Sequence, residues 1–85
     1  MTKIFLDARQ MQHPVPLEKA IEALKSLNEG NYFYMLHRKE PIPLLALAGE
    51  HNLNFISKEI DGKWHILISS NRSINLEDYI EDFDV

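Results

Sequence analysis

The spacing of apolar residues divides the first half of the chain into a strand, a helix and a second strand. The apolar run at residues 3–6, closed by Asp7, predicts a short strand. A helical stripe follows from Pro16, and its apolar members are Leu17, Ala20, Ile21, Leu24 and Leu27. Gly30 is expected to end this helix as its C′ residue. Residues 32–37 are apolar or aromatic on both parities, which predicts a strand in the interior of a sheet.

The second half of the chain repeats the helix and adds a hairpin. A short helix is predicted at or just after Pro41, with an apolar side formed by Leu44, Leu45, Leu47 and Ala48. Strands at residues 53–60 and 63–69 flank Asp61-Gly62, a pair typical of tight hairpin turns. A two-residue loop and a bulged loop would place different side chains on each face, and the sequence leaves both open.

These elements predict an α+β fold in the order β-α-β-α-β-β. A right-handed crossover at each β-α-β connection puts both helices on one face of a mixed four-stranded sheet. The result is a two-layer sandwich over residues 1–70.

Residues 71–85 form an acidic tail with an apolar stripe. Leu76, Tyr79, Ile80 and Phe83 recur at helical spacing, which predicts a third, amphipathic helix. Its apolar side either covers the bare face of its own sheet, the interpretation we favour, or docks on a second copy or another protein. The candidate interaction residues are therefore these four and Leu45 of the second helix.

Length, charge and cysteine content exclude several classes of function. An 85-residue chain forms one domain, and it has no cysteine, which removes disulfides, thiolate nucleophiles and persulfide carriers. A net charge of −4 is the wrong sign for binding a phosphate backbone. The apolar runs are too short for a membrane span, and the N-terminus lacks the apolar region of a signal peptide. We therefore expect a cytoplasmic protein that binds neither nucleic acid nor membrane.

Several motifs carry a family resemblance. The stretch Leu6-Asp7-Ala8-Arg9, followed by a helix start that contains proline, resembles the TusA/SirA sulfur-carrier family, whose members have Cys-Pro where this chain has His13-Pro14. The chain is more similar to a related bacterial family of unknown function, through Gly30, the segments at residues 36–44 and 61–64, and the joint order and spacing of these motifs. The resemblance spans residues 4–69 and implies the TusA-like fold. Because the cysteine is missing, persulfide transfer is not carried over.

Five polar residues are predicted to converge at one edge of the sheet. They are Arg9, His13, His37, Arg38 and Lys39, which follow the two parallel strands. With the N–H groups of the two helix N-termini, they form a candidate anion site. The alternative, which we favour, is that Arg9 pairs with Asp7 or Glu40 and that the other residues are solvated surface side chains. A metal site formed by three of the histidines (13, 37 and 65) is conceivable but not favoured. No catalytic residue, metal or cofactor is predicted.

Three hypotheses of function follow. We favour a non-catalytic protein-interaction or regulatory module, with a protein partner or self-association. The alternative is a small domain that binds an anion or a metal- or redox-associated ligand at the edge formed by the histidines and arginines. The third is a descendant of a sulfur carrier that docks on sulfur-relay enzymes without carrying sulfur. An enzymatic activity is not expected.

Overall fold

A computed structural model describes residues 1–81 of the chain. Its strands and helices, in chain order, are β1 (Thr2–Asp7), α1 (Val15–Leu24), β2 (Asn31–His37), α2 (Ile42–Glu50), β3 (Asn54–Ile60) and β4 (Lys63–Ser69). The strands form one sheet in the order β1-β2-β4-β3, in which β1 and β2 are parallel and the other neighbours antiparallel. The predicted α+β class, the mixed four-stranded sheet and the two helices are therefore confirmed.

The two faces of the sheet carry separate cores, because side chains alternate along each strand. On one face, Phe33 and Met35 of β2 pack with Ala20 of α1 and with Leu44 and Ala48 of α2. On the other face, a second cluster contains Tyr32, Tyr34, Leu36, Leu67 and Leu76. The central strand β2 thus contributes to both cores, as its apolar character on both parities predicts.

Helix α1 ends earlier than its apolar stripe predicts. The last helical residue is Leu24, and the chain continues to Leu27 through turns whose N–H groups donate to carbonyls three residues back. Gly30 is not the C′ residue, because it lies six positions beyond the helix end and its φ is not positive. The turn instead uses side chains: Asn28 Oδ1 accepts from the Gly30 N–H, and Asn31 Oδ1 accepts from the Asn28 N–H.

Helix α2 ends in a Schellman motif built on asparagine. Asn52 has a φ of 57°, and its N–H donates to the Gly49 carbonyl. The Leu53 N–H donates to the Ala48 carbonyl, which completes the motif. Although α2 is mostly apolar, neither helix within residues 1–81 has the length and hydropathy needed to cross a membrane.

The hairpin has a two-residue loop. Ile60 pairs directly with Lys63, and Asp61 and Gly62 both have positive φ, at 52° and 79°. This is the conformation that favours glycine at the second loop position. The register places Phe55 opposite Ile68 on the face covered by the helices. The loop length that the sequence left open is thereby settled.

The prediction of a C-terminal amphipathic helix is wrong for the described residues. Only one 3-10 turn forms, at Leu76–Tyr79, and Ile80 is already extended. The Glu81 N–H, which an α-helix would direct to the Glu77 carbonyl, donates to Tyr34 Oη at 3.0 Å. Phe83 of the predicted helix lies outside the described residues.

The segment 74–80, which we call the C-terminal cover, closes the second face of the sheet. Leu76 is buried, and Ile74, Tyr79 and Ile80 pack against the same cluster. The Asn54 side chain anchors the segment by donating to the Ile74 carbonyl at 2.9 Å. The interpretation favoured from the sequence, in which the tail packs on its own sheet, matches these contacts.

Candidate functional site

A pocket of about 360 Å³ lies where the loop after β1 meets the loop after β2. Because β1 and β2 are parallel neighbours, these loops leave the same end of the sheet, the end at which open α/β folds bind ligands. We call it the loop pocket. Its lining residues are Met11, His13, Pro16, Leu17, Met35, His37, Arg38, Lys39, Glu40, Pro41, Ile42, Pro43 and Leu44.

The floor of the loop pocket is apolar. Pro16, Met35 and Leu44 are buried, and Met11 and Leu17 are half-buried and pack against the same core. These side chains come from the first loop, α1, β2 and α2, so the floor is continuous with the main core of the domain. An apolar group placed there would lose contact with water on most sides.

The mouth of the loop pocket is polar and basic. His13, Arg38 and Lys39 are exposed there, and Ile42 beside them is 58% exposed. Arg38 also ties the two loops together, because its Nη2 donates to the Met11 carbonyl at 3.4 Å. Four of the five predicted site residues, all except Arg9, therefore line one pocket.

Arg9 lies outside the loop pocket and pairs with Asp7. Its Nε and Nη2 atoms donate to the two carboxylate oxygens of Asp7 at 2.9 and 2.7 Å. This hydrogen bonding holds the pKa of Asp7 below its usual value and raises that of Arg9. This bidentate ion pair lies at the C-terminal end of β1, and the Asp7 carboxylate largely neutralises the charge of Arg9.

His37 is buried at the end of β2, and one of its ring nitrogens is already occupied. Nδ1 accepts the N–H of Arg38 at 2.8 Å, and the N–H of Lys39 lies 3.5 Å from the same atom. Burial, together with the charges of Lys39 and Arg38, lowers the pKa of His37. The ring is therefore neutral at pH 7, and since Nδ1 is an acceptor, Nε2 carries the proton.

The helix N-termini contribute less to the site than their position predicts. In α2, Pro41 and Pro43 carry no N–H, Ile42 donates to the Glu40 carbonyl, and Leu44 donates to the Pro41 carbonyl. The first turn of α1 also contains two prolines, and the N–H groups of residues 15 and 18 bond to carbonyls of the chain. Positive charge at the pocket mouth therefore comes from side chains rather than from helix ends.

A family comparison identifies the domain. The model of the family described as "Uncharacterized conserved protein (DUF2249)" matches residues 5–70. The chain belongs to this family. Residues 5–70 include the second half of β1, all of β2, β3 and β4, and every residue that lines the loop pocket. No curated protein and no solved structure matches the chain.

The histidines of this DUF2249 domain do not form a shared metal site. His65 lies on the opposite face of the sheet from the loop pocket, where its Nδ1 is 2.7 Å from Tyr34 Oη. Across residues 1–81, no group of three or more histidine, aspartate or glutamate side chains is arranged to hold a metal ion. His37 is also a poor ligand, because its only lone-pair nitrogen accepts a backbone N–H.

The predicted interaction residues of the DUF2249 domain contact its own cores. Leu45 is half-buried and packs against the core under the helices. Leu76 is buried in the second cluster, and Tyr79 and Ile80 are half-buried against it. These four described side chains are thus used within the chain. The fifth predicted residue, Phe83, lies outside the described residues.

Sequence reasoning missed the apolar half of the loop pocket. Met35 lies two residues before His37, and Met11 two residues before His13, so each shares a strand face or loop with a predicted site residue. The signal was present, since residues two apart on a strand point the same way. Methionines at such positions are usually core residues, and only the meeting of the two loops turns them into a pocket floor.

Proposed function

We propose that this DUF2249 domain is a non-catalytic binding module whose loop pocket holds a small ligand with an apolar body and a single negative charge. The observation that carries the proposal is the combination of a continuous apolar floor with a basic mouth in one pocket of about 360 Å³. Pockets of this size and composition are typical of small-molecule sites.

The apolar body of the ligand is supported by the floor. Met11, Leu17, Met35 and Leu44 come from four different parts of the chain and present a mostly aliphatic surface. The gain from burying apolar surface is roughly 25 cal/mol per Å². Thioether side chains add adaptability, because methionine fills irregular shapes at low cost.

The single negative charge is supported by the mouth. Arg38 and Lys39 are exposed cations beside the floor, whereas the Glu40 carboxylate also lines the pocket and accepts from Ser57 Oγ at 3.1 Å. The carboxylate of Glu40 disfavours a ligand of high negative charge, such as a phosphate dianion. A carboxylate ligand balances these effects best.

The state of His37 also favours an organic ligand over a metal. Its Nε2–H is a donor, and its Nδ1 already accepts the N–H of Arg38. A neutral donor in the pocket wall suits a ligand oxygen and does not suit a cation. Of the ligands considered from the sequence, an anion or a metal- or redox-associated group, the proposal therefore keeps the anion.

This proposal reverses the order of the hypotheses drawn from the sequence. The interaction module would use Leu45 and the C-terminal residues, yet the described ones pack inside the chain. The relationship to the TusA/SirA sulfur carriers, and docking on their partner enzymes, stay hypotheses that rest on the motif resemblance. In either case the chain cannot carry a persulfide itself, because it contains no cysteine.

Calorimetry with octanoate, octanol and inorganic phosphate tests the proposal. We expect octanoate to bind more tightly than either of the other two, since only octanoate has both an apolar body and one negative charge. Lys39→Glu should raise the Kd of octanoate by about 5- to 10-fold, corresponding to roughly 1 kcal/mol for an exposed charge contact changed in sign. The affinity for octanol should stay within about twofold, because octanol has no charge for Lys39 to contact.

Lys25→Glu is the matched control. It makes the same change in net charge at an exposed position directly after α1 that does not line the loop pocket. Its Kd for octanoate should stay within about twofold of the parent value. An equal effect of the two substitutions, or tighter binding of phosphate than of octanoate, would contradict the proposed ligand class.

A further inference from the structure

Strand β1 forms one edge of the sheet, with β2 as its neighbour. We infer that β1 pairs antiparallel with β1 of a second copy of the chain, joining the two sheets across a two-fold axis centred on Phe5. Such an interface is isologous, so each residue of one strand must suit its counterpart in the reversed strand.

The sequence of β1 is self-complementary about Phe5. Reversing the strand places Lys3 opposite Asp7 of the second copy, and Ile4 opposite Leu6. Phe5 then faces Phe5 of the second copy. Opposite charges, apolar pairs and aromatic pairs in direct register each stabilise antiparallel strands by roughly 0.2–1 kcal/mol.

The backbone groups of β1 that are directed away from β2 belong to the residues that this pairing would join. The N–H groups of Thr2 and Ala8 donate to β2 and its flanks, at Gly30 and Leu36. Because backbone groups alternate in direction along a strand, those of residues 3, 5 and 7 are directed to the other side. In antiparallel pairing centred on Phe5, the residues that exchange hydrogen bonds are these same three.

The side chains along this edge would gain burial. Phe5 is 43% exposed, and Ile4 and Leu6 are half-buried. A groove of about 340 Å³ runs between β1 and α1, and it is bordered by Lys19 and Glu22. A second strand beside β1 would shield this groove, with charges of both signs on the helix at its rim.

The opposite edge of the sheet has no such complementarity. Reversing β3 about Ser57 would place Phe55 opposite Glu59 and Ile56 opposite Lys58. An apolar residue facing a charged one in each pair disfavours self-association, a common protection of edge strands. The contrast indicates β1 as the edge that accepts a second copy.

The affinity should be modest. Lys3 already pairs with Glu81 at 2.6 Å, and Asp7 with Arg9 at 2.7 Å, so the contacts between copies extend existing ion pairs. One six-residue strand also forms a small interface. We expect a dimer Kd on the order of 10–100 µM.

Sedimentation equilibrium over about 5–500 µM protein tests the inference, a range that brackets this Kd. Lys3→Asp and Asp7→Lys should each raise the dimer Kd at least tenfold, because each places like charges opposite one another in the homodimer. An equimolar mixture of the two variants should associate again, since every pair between copies is then acid against base. Lys25→Asp, which makes the same charge change away from the edge, should leave the Kd within about twofold.

The double variant K3D/D7K provides a second test. Circular dichroism checks that each variant is folded. The double variant restores opposite charges within the homodimer, so it should associate even if one single variant does not fold. The inference is overturned if the parent stays monomeric up to about 500 µM, well above the expected Kd. It is also overturned by a dimer that both single variants leave intact, or by a double variant that is folded but monomeric beside a dimeric parent.

Discussion

At the scale of single residues, His37 shows how backbone geometry determines the chemistry of a side chain. The chain turns sharply after β2, and this turn brings the Arg38 N–H to Nδ1 of the ring. A proton on Nδ1 would face that N–H group, so the charged form is disfavoured beyond the effects of burial and of Arg38 and Lys39. The residue therefore acts as a neutral donor.

We expect His37 to make folding stability depend on pH in the weakly acidic range. The unfolded chain takes up a proton near the ordinary pKa of 6.5, whereas folded His37 resists protonation to lower pH. The free energy of unfolding should therefore be fully developed above pH 6.5 and decrease as the pH falls towards the folded pKa. Urea titrations at a series of pH values measure this directly.

His37→Asn is the matched variant for this prediction. The asparagine oxygen replaces Nδ1 as acceptor, so stability at pH 8 should change by less than about 1 kcal/mol, while His37→Ala should cost about 1–2 kcal/mol. The difference in stability between parent and His37→Asn should shrink or reverse below pH 6.5. A difference that is constant with pH would contradict the assignment.

The location of His37 could be predicted, but its protonation state could not. A polar residue directly after an apolar strand, next to a second parallel strand, is expected at the carboxyl edge of the sheet. Which nitrogen carries the proton depends on the φ and ψ angles of the next two residues, which no residue pattern specifies. The pairing of Arg9 with Asp7, by contrast, is one of the alternatives that the sequence predicts for this residue, and the structure shows it.

At the scale of elements, the C-terminal cover forms in place of a predicted helix, because a side chain distant in sequence accepts a backbone hydrogen bond that the helix would have used. Leu76, Tyr79 and Ile80 have helical spacing, yet one turn already places them on the sheet. The Glu81 N–H then donates to Tyr34 Oη, on a strand 47 residues earlier. Apolar periodicity cannot distinguish one turn from a longer helix when a tertiary partner is available.

The cover should contribute strongly to stability. Leu76→Ala removes a buried side chain and is expected to cost about 2–4 kcal/mol, whereas Asp78→Ala, on the exposed side of the same turn, should change stability by less than about 0.5 kcal/mol. Chemical denaturation measures both values. Similar small effects of the two substitutions would contradict the packing described for the second face.

Truncation after Ser70 tests the same element at larger scale. It removes Leu76 and exposes Tyr34 and Leu67, which are fully buried in the complete domain. The truncated chain should lose cooperative folding. A folded truncated chain with unchanged stability would show that the cover is dispensable.

At the scale of the whole molecule, the two cores are linked because they share one sheet. Phe33 and Tyr34 are consecutive residues of β2 and belong to different cores. Loss of either core exposes one face of every strand, so neither is expected to persist alone. A domain of 85 residues also buries too little surface to support independent subdomains.

We therefore expect a single unfolding transition that is reported equally by probes on both faces. Trp64, the only tryptophan, packs against the core under the helices and reports on that face by fluorescence. Tyr34 is buried on the other face and contributes to the near-ultraviolet circular dichroism, together with the other aromatic residues. Coincident midpoints in urea are the expected result, and separated midpoints would contradict the linkage.

The overall topology followed from the sequence to a large extent. Apolar periodicity and the Asp61-Gly62 turn were sufficient for the order of elements and for the class of sheet, because each pattern reflects local geometry. The end of α1 was less predictable, since Leu27 is apolar and packs on the core without being helical. Helix ends depend on turn chemistry at residues 28–31, which competes with continuation of the helix.

The strand order has a consequence for synthesis of the chain on the ribosome. The central strand β2 gains its second neighbour only from β4, whose first residue, Lys63, lies 26 positions after the end of β2. A nascent chain that ends before β4 can pair β1 with β2 but leaves the other side of β2 open. Stable folding should therefore begin only after nearly the whole domain has left the exit tunnel. Arrest peptides placed at increasing distances along the gene should detect the pulling force of folding only when the chain includes β4.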